Sequence, residues 1–97
     1  MTHYLKGEKM YEYKDTVDLM LSDDYKLRFT AEYLQLKLRY EKLKAFANEI
    51  EVAQMKGWPE PIHDCPLELL RAQQKCMGEY LSCLEKRAII EDVALPS

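Results

Sequence analysis

The chain has 97 residues, 47% hydrophobic and 32% charged, with net charge −3, three Gly, four Pro and three Cys, which describes one small domain with little interior of its own. No apolar run approaches the ~20 residues that span a bilayer, and the polar start Met1-Thr2-His3-Tyr4-Leu5-Lys6 lacks the core of a signal peptide, so a cytoplasmic protein with no membrane contact is expected. Cys65, Cys76 and Cys83, odd in number and scattered, argue for reduced thiols rather than a disulfide framework.

Residues 1–9 are read as a loose N-terminus. Met10, Tyr13, Val17, Met20 and Leu21 then follow at steps of three, four, three and one, which predicts a short amphipathic helix over 10–21. Ser22-Asp23-Asp24 ends it and opens the next, with Ser22 as N-cap and the two carboxylates in a positive first turn. Residues 23–55 contain no Pro or Gly, and Phe29, Tyr33, Leu36, Tyr40, Leu43, Ala47 and Ile50 alternate in steps of four and three, predicting one long helix. Leu27, Leu34, Leu38 and Ala45 lie off that seam, so this helix should touch more than one neighbour. Gly57, Pro59 and Pro61 break it, predicting a loop over 56–65. A second long helix is expected over 66–92, with Pro66 in its first turn and Asp64 or Cys65 at the cap. Within it Leu70, Met77 and Leu84 recur every seven residues, flanked by Leu69, Cys76, Cys83 and Ile90 on one side and Leu81 and Ala88 on the other. Residues 93–97 form a tail.

The expected fold is therefore all-α: an antiparallel hairpin of two long helices, with the short N-terminal helix across one end. A bare hairpin cannot bury such wide apolar faces. The remaining surface, including Phe29, Tyr33, Leu36 and Met77, is expected to pair with a second copy in a homo-oligomeric bundle.

Charge is unevenly placed. Residues 25–46 carry six basic residues (Lys26, Arg28, Lys37, Arg39, Lys42, Lys44) against Glu32 and Glu41, a local +4 that attracts phosphates; a solvated helix face is the plainer reading. Tyr25, Lys26, Arg28 and Phe29 gather cations and rings at a helix start, where a base can stack while the cations hold phosphate, unless Phe29 is simply core. Gln73, Tyr80 and Arg87 lie seven apart in one line, opposite Arg39, Tyr40 and Glu32 across the hairpin. That line reads first as a hydrogen-bond network and second as the lining of a pocket between subunits. A pI near 5.4 and the lack of a reading motif argue against duplex nucleic acid. His63, Asp64 and Cys65 are adjacent rather than at metal-ligand spacing, and Cys76 and Cys83 are about 10 Å apart along a helix, too far for a disulfide. No nucleophile elbow or Gly-rich loop is present, so neither an enzyme nor a cofactor is expected.

Two stretches, DDYKLRFTAEYLQLKLRYEKLKAF (23–46) and CPLELLRAQQKCMGEYLSCLEKRAIIE (65–91), resemble a family of small helical-hairpin proteins from phages, prophages and mobile elements of gut Firmicutes, named after an open reading frame of a crAss-like phage. The resemblance rests on Tyr25, Lys26, Arg28, Phe29, Glu32, Tyr33, Gln35, Arg39, Tyr40 and Leu43, then on Leu69, Leu70, Gln73, Met77, Tyr80, Leu84 and Arg87. It implies an accessory protein that disarms bacterial immunity, and assigns no catalytic residue. By architecture alone, such a hairpin is similar to phage sponge proteins that trap cyclic nucleotide or cyclic ADP-ribose signals between protomers. The expected function is sequestration of a phosphate-bearing nucleotide through Tyr25, Lys26, Arg28, Phe29, Arg39, Gln73, Tyr80 and Arg87. The rival readings are an inhibitor that binds a host defence protein through Trp58 and Tyr11, in the manner of an anti-CRISPR protein, and a structural or regulatory oligomer without a small ligand.

Overall fold

The computed structural model describes residues 12–96, all helical with no strand among them. A 3-10 turn, Tyr13–Thr16, leads into α1 (Val17–Met20), followed by α2 (Tyr25–Lys56) and α3 (Leu67–Ile90).

Where the spacing predicts one amphipathic helix over 10–21, the described part is thus a 3-10 turn and a single α turn; Met10 lies outside the described residues. The cause is local. The Glu12 N–H donates to the Asp15 carboxylate at 2.7 Å, and the Thr16 hydroxyl donates to the Tyr13 carbonyl at 2.6 Å, which tightens the backbone into the narrower turn. Thr16 is fully buried and its hydroxyl also accepts from Gln35 Nε2 at 3.0 Å, which ties the turn to α2.

α2 starts one residue pair later than its acidic entry predicts. Asp24, not Ser22, is the N-cap: its carboxylate accepts from the Lys26 N–H at 2.9 Å, while the Ser22 hydroxyl accepts from the Asp24 N–H at 3.0 Å. At the other end Gly57 takes φ 72°, a left-handed conformation open to glycine, and the Trp58 N–H returns to the Ala53 carbonyl at 2.9 Å. For α3 the cap is Pro66 itself, whose carbonyl accepts from Leu69 and Leu70, so Pro66 sits just before the first turn rather than in it. α3 ends at Ile90; Asp92 then adopts φ 58° and the Val93 N–H donates to the Ala88 carbonyl at 2.8 Å. This fold-back buries Val93, which turns the start of the expected tail into core.

Contacts between the two long helices run in opposite order along them. Tyr25 meets Glu91, Glu32 meets Tyr80, Tyr40 meets Gly78, and Asn48 and Glu51 meet Arg71. The Tyr40 ring lies against α3 at Gly78, where a Cβ would stand 3.4 Å from Cε1, at the near edge of ordinary van der Waals contact. Phe29, Tyr33 and Leu36 pack with Leu81, Leu84, Ala88 and Val93, with Leu19 of α1 partly buried on the same cluster. The expectation that Phe29, Tyr33 and Leu36 face a second copy is corrected here: each is 9% exposed or less within one chain, because α3 and the returning tail cover them. Ala31 and Leu34 are also buried although they lie away from that seam, since α2 carries apolar residues on two faces and the N-terminal turns contact it as well.

α2 has 32 residues, hence about 48 Å of helix, and sets the long dimension of the molecule at 49 Å. The radius of gyration, 16.1 Å, exceeds the roughly 12–13 Å of a compact domain this size. The core is one thin layer, so single truncations are costly. Leu84→Ala, at 2% exposure the most buried leucine of the interface, is expected to lower unfolding stability by about 2–5 kcal/mol, read as a lower urea midpoint at unchanged slope.

Candidate functional site

The first turn of α2 and the last turn of α3 meet, and their polar side chains interlock. Glu91 is the hub. It accepts from Arg87 Nε at 2.7 Å and Nη2 at 3.1 Å, and from the Tyr25 hydroxyl at 2.9 Å. Arg87 also lays its guanidinium 4.7 Å from the centre of the Phe29 ring, and two turns earlier on α3 the Tyr80 hydroxyl donates to Glu32. The two donors hold the Glu91 carboxyl below its usual range, Arg87 first and Tyr25 second, while the same carboxylate raises both Tyr25 and Arg87.

Lys26 and Arg28 differ from Arg87 in the charge of their partners. Lys26 Nζ donates to the Asp92 carbonyl at 3.2 Å and Arg28 Nη1 to the Ser22 carbonyl at 2.8 Å, both neutral oxygens. Their positive charges are held in place without being cancelled by the group that holds them.

Of the eight residues expected to bind ligand, the structure brings Tyr25, Lys26, Phe29 and Arg87 together at this end, with Arg28 just outside and Tyr80 two turns away along α3, bonded to Glu32. Phe29 is 4% exposed and has Arg87 over its ring, so its stacking face is taken by the chain itself. Arg39 is elsewhere: its guanidinium and the Lys42 ammonium lie 5.5 and 4.9 Å from the Tyr13 ring centre. Gln73 is exposed on the same line of α3 as Tyr80. The expected opposition of Arg39 and Tyr40 to the Gln73, Tyr80 and Arg87 line is corrected to Glu32 alone, because Tyr40 turns toward Gly78 and Arg39 toward the N-terminal turn. The spacing of Arg87 and Glu91, four apart on a helix, was a legible signal for their ion pair. The Tyr80 bond to Glu32 is the member of the expected cross-helix network that the structure contains.

The loop end carries a second polar cluster. His63 places Nδ1 2.7 Å from the Cys65 carbonyl and Nε2 2.9 Å from the Glu60 carboxylate, so both ring nitrogens face acceptors and both have to donate. The Glu60 contact, then the Cys65 carbonyl, raises the His63 pKa above its ordinary 6.5. Beside it Asn48, Glu49, Val52, Trp58, Pro59 and Pro61 line an open groove of about 530 Å3. Among the described residues, no helix is long and apolar enough to cross a membrane.

Charged and aromatic side chains of an elongated all-helical protein thus meet where the first turn of α2 lies against the last turn of α3. The Sequestin family model matches residues 23–90, all of α2, the loop and α3, and the chain belongs to that family. No curated protein and no solved structure matches it.

The sign of the pH dependence follows from the two hubs. The His63 contribution is complete below pH 6.5 and is lost as pH rises through its raised folded value; the Glu91 contribution is complete above 4.5 and is lost as pH falls through its lowered folded value. Thermal melts across pH 3–9 are expected to show both limbs, with His63→Gln flattening only the alkaline one and Glu91→Gln only the acid one.

Proposed function

We propose that this chain is a non-enzymatic accessory protein of a phage or mobile element that acts in the bacterial cytoplasm by sequestering a phosphate-bearing nucleotide signal, cyclic or derived from ADP-ribose. The observation that carries the reading is the family match over 23–90, since the Sequestin name fits a ligand-sequestering role. The side chains support the ligand class. Lys26 and Arg28 spend their hydrogen bonds on neutral carbonyls, and a phosphate oxygen is a stronger, charge-assisted acceptor that displaces them readily. Tyr25 and Tyr80, 44% and 45% exposed, offer ring faces to a base, and Gln73 and Arg87 extend the lining. Arg39, with Lys42, adds a further cationic point on the flank of α2.

The mechanism is mass action: sites that outnumber and outbind the host receptor lower the free signal. In this reading the two long helices form an antiparallel hairpin that assembles as a homo-oligomeric helical bundle. A second reading, inhibition of a host defence protein, is favoured by Trp58, 56% exposed at the rim of an apolar groove.

A thermal-shift screen of cyclic dinucleotides, cyclic trinucleotides and ADP-ribose derivatives separates the two. One nucleotide class at 100 times its Kd is expected to add about 2.7 kcal/mol to stability and raise Tm by several degrees. The paired change Lys26→Glu and Arg28→Glu is expected to abolish the shift while leaving the ligand-free circular dichroism spectrum unchanged. No shift with any nucleotide, together with a host protein retained on the immobilised chain and lost with Trp58→Ala, overturns sequestration for the second reading.

A further inference from the structure

α3 carries two interleaved seams. The first faces α2, with Leu81, Leu84 and Ala88 buried and Leu70 and Met77 half-buried. The second is solvent-exposed along its whole length: Leu69, Cys76, Cys83 and Ile90 recur every seven residues, and Gln73, Tyr80 and Arg87 recur every seven between them. Together these advance in strict steps of four and three, the spacing of a coiled-coil contact line. Leu69 is 58% and Ile90 80% exposed, which no isolated chain requires of a helix already packed on its other side.

We propose that this second seam docks on the same seam of a second copy of the chain, antiparallel, about a two-fold axis beside residues 81 and 82. Charge selects the occupant and the register. Glu79 and Lys86 lie one heptad apart on the outer flank of the seam, both exposed, and neither enters an ion pair among the described residues. A parallel pairing leaves Glu79 and Lys86 on opposite flanks from the partner's Lys86 and Glu79, with Glu79 beside the apolar Leu84 position instead of a cation. An antiparallel pairing one heptad toward the N-terminus sets Glu79 against Glu79. The register about 81 and 82 instead brings Glu79 to Lys86 of the partner copy twice, with Tyr80 opposite Cys83 and Cys76 opposite Arg87 in the layers between. The interface rests on the oligomer part of the function proposed above and not on its ligand; in this register Cys76 and Gln73 of the partner copy fall opposite Arg87 and Ile90, so the partner adds side chains beside each candidate binding end.

The test uses the full chain. Native mass spectrometry is expected to give twice the 11.5 kDa chain mass or a higher even multiple. Lys86→Glu is expected to weaken self-association by about tenfold, and Glu79→Lys added to it to restore wild-type association, since the swap keeps both cross-pairs. In a chain with all three Cys changed to Ser, Glu79→Cys and Lys86→Cys together are expected to trap a covalent dimer on mild oxidation, while either alone does not. A wild-type chain that is monomeric at micromolar concentration overturns the interface, as does efficient self-cross-linking of the Glu79→Cys variant alone. A dimer trapped in this register that binds no nucleotide leaves the interface standing and counts against sequestration; nucleotide binding by a monomer does the reverse.

Discussion

Everything in this molecule depends on α2 having to satisfy two neighbours at once. Its apolar residues lie on opposite faces, so the helix is poor as an amphipathic element and stable only as a shared wall. Phe29, Tyr33 and Leu36 are covered by α3 and the returning Val93, while Gln35 and the residues beside it hold the N-terminal turns. A wall 32 residues long with one thin layer on either side yields an elongated body whose ends, rather than its middle, bring together side chains distant in sequence.

The two ends are built on different physics. At the α2 start, Glu91 gathers Arg87 and Tyr25, closing the helix pair with charge-assisted bonds at the surface, where each is worth little alone and the set mainly fixes geometry. Beside it Lys26 and Arg28 donate to carbonyl oxygens, so neither cation is offset by the group that holds it. At the loop end, the turn after Gly57 is pinned by His63 between Glu60 and Cys65, and Trp58, Pro59 and Pro61 form one wall of an open groove whose other wall is α2. One end is thus suited to anions and the other to apolar surface.

The places where local reasoning and structure differ share a cause. The short N-terminal helix became a 3-10 turn because Thr16 bonds backwards to Tyr13 and sideways to Gln35, a long-range contact that no periodicity reveals. Ser22 yielded the cap to Asp24, and Pro66 moved from first turn to cap; these are shifts of one or two residues, the ordinary uncertainty of helix ends. Phe29 reads equally well as a stacking ring or as core until α3 is in place, and then Arg87 covers it.

Heptad spacing, the Gly57 and Pro59 breakers and the absence of any strand pattern determined by themselves that the described chain is helical and where its two long helices lie, because hydrophobic period and backbone stereochemistry are local properties. The ion pair of Arg87 with Glu91 belongs to the same level, being one helical turn. Only the tertiary structure decided which of the two seams of α3 meets α2, which cations stay uncancelled and which aromatic rings remain exposed. Each of those depends on how one helix is rotated against another, and rotation is set by the sum of many small contacts rather than by any residue's own preference.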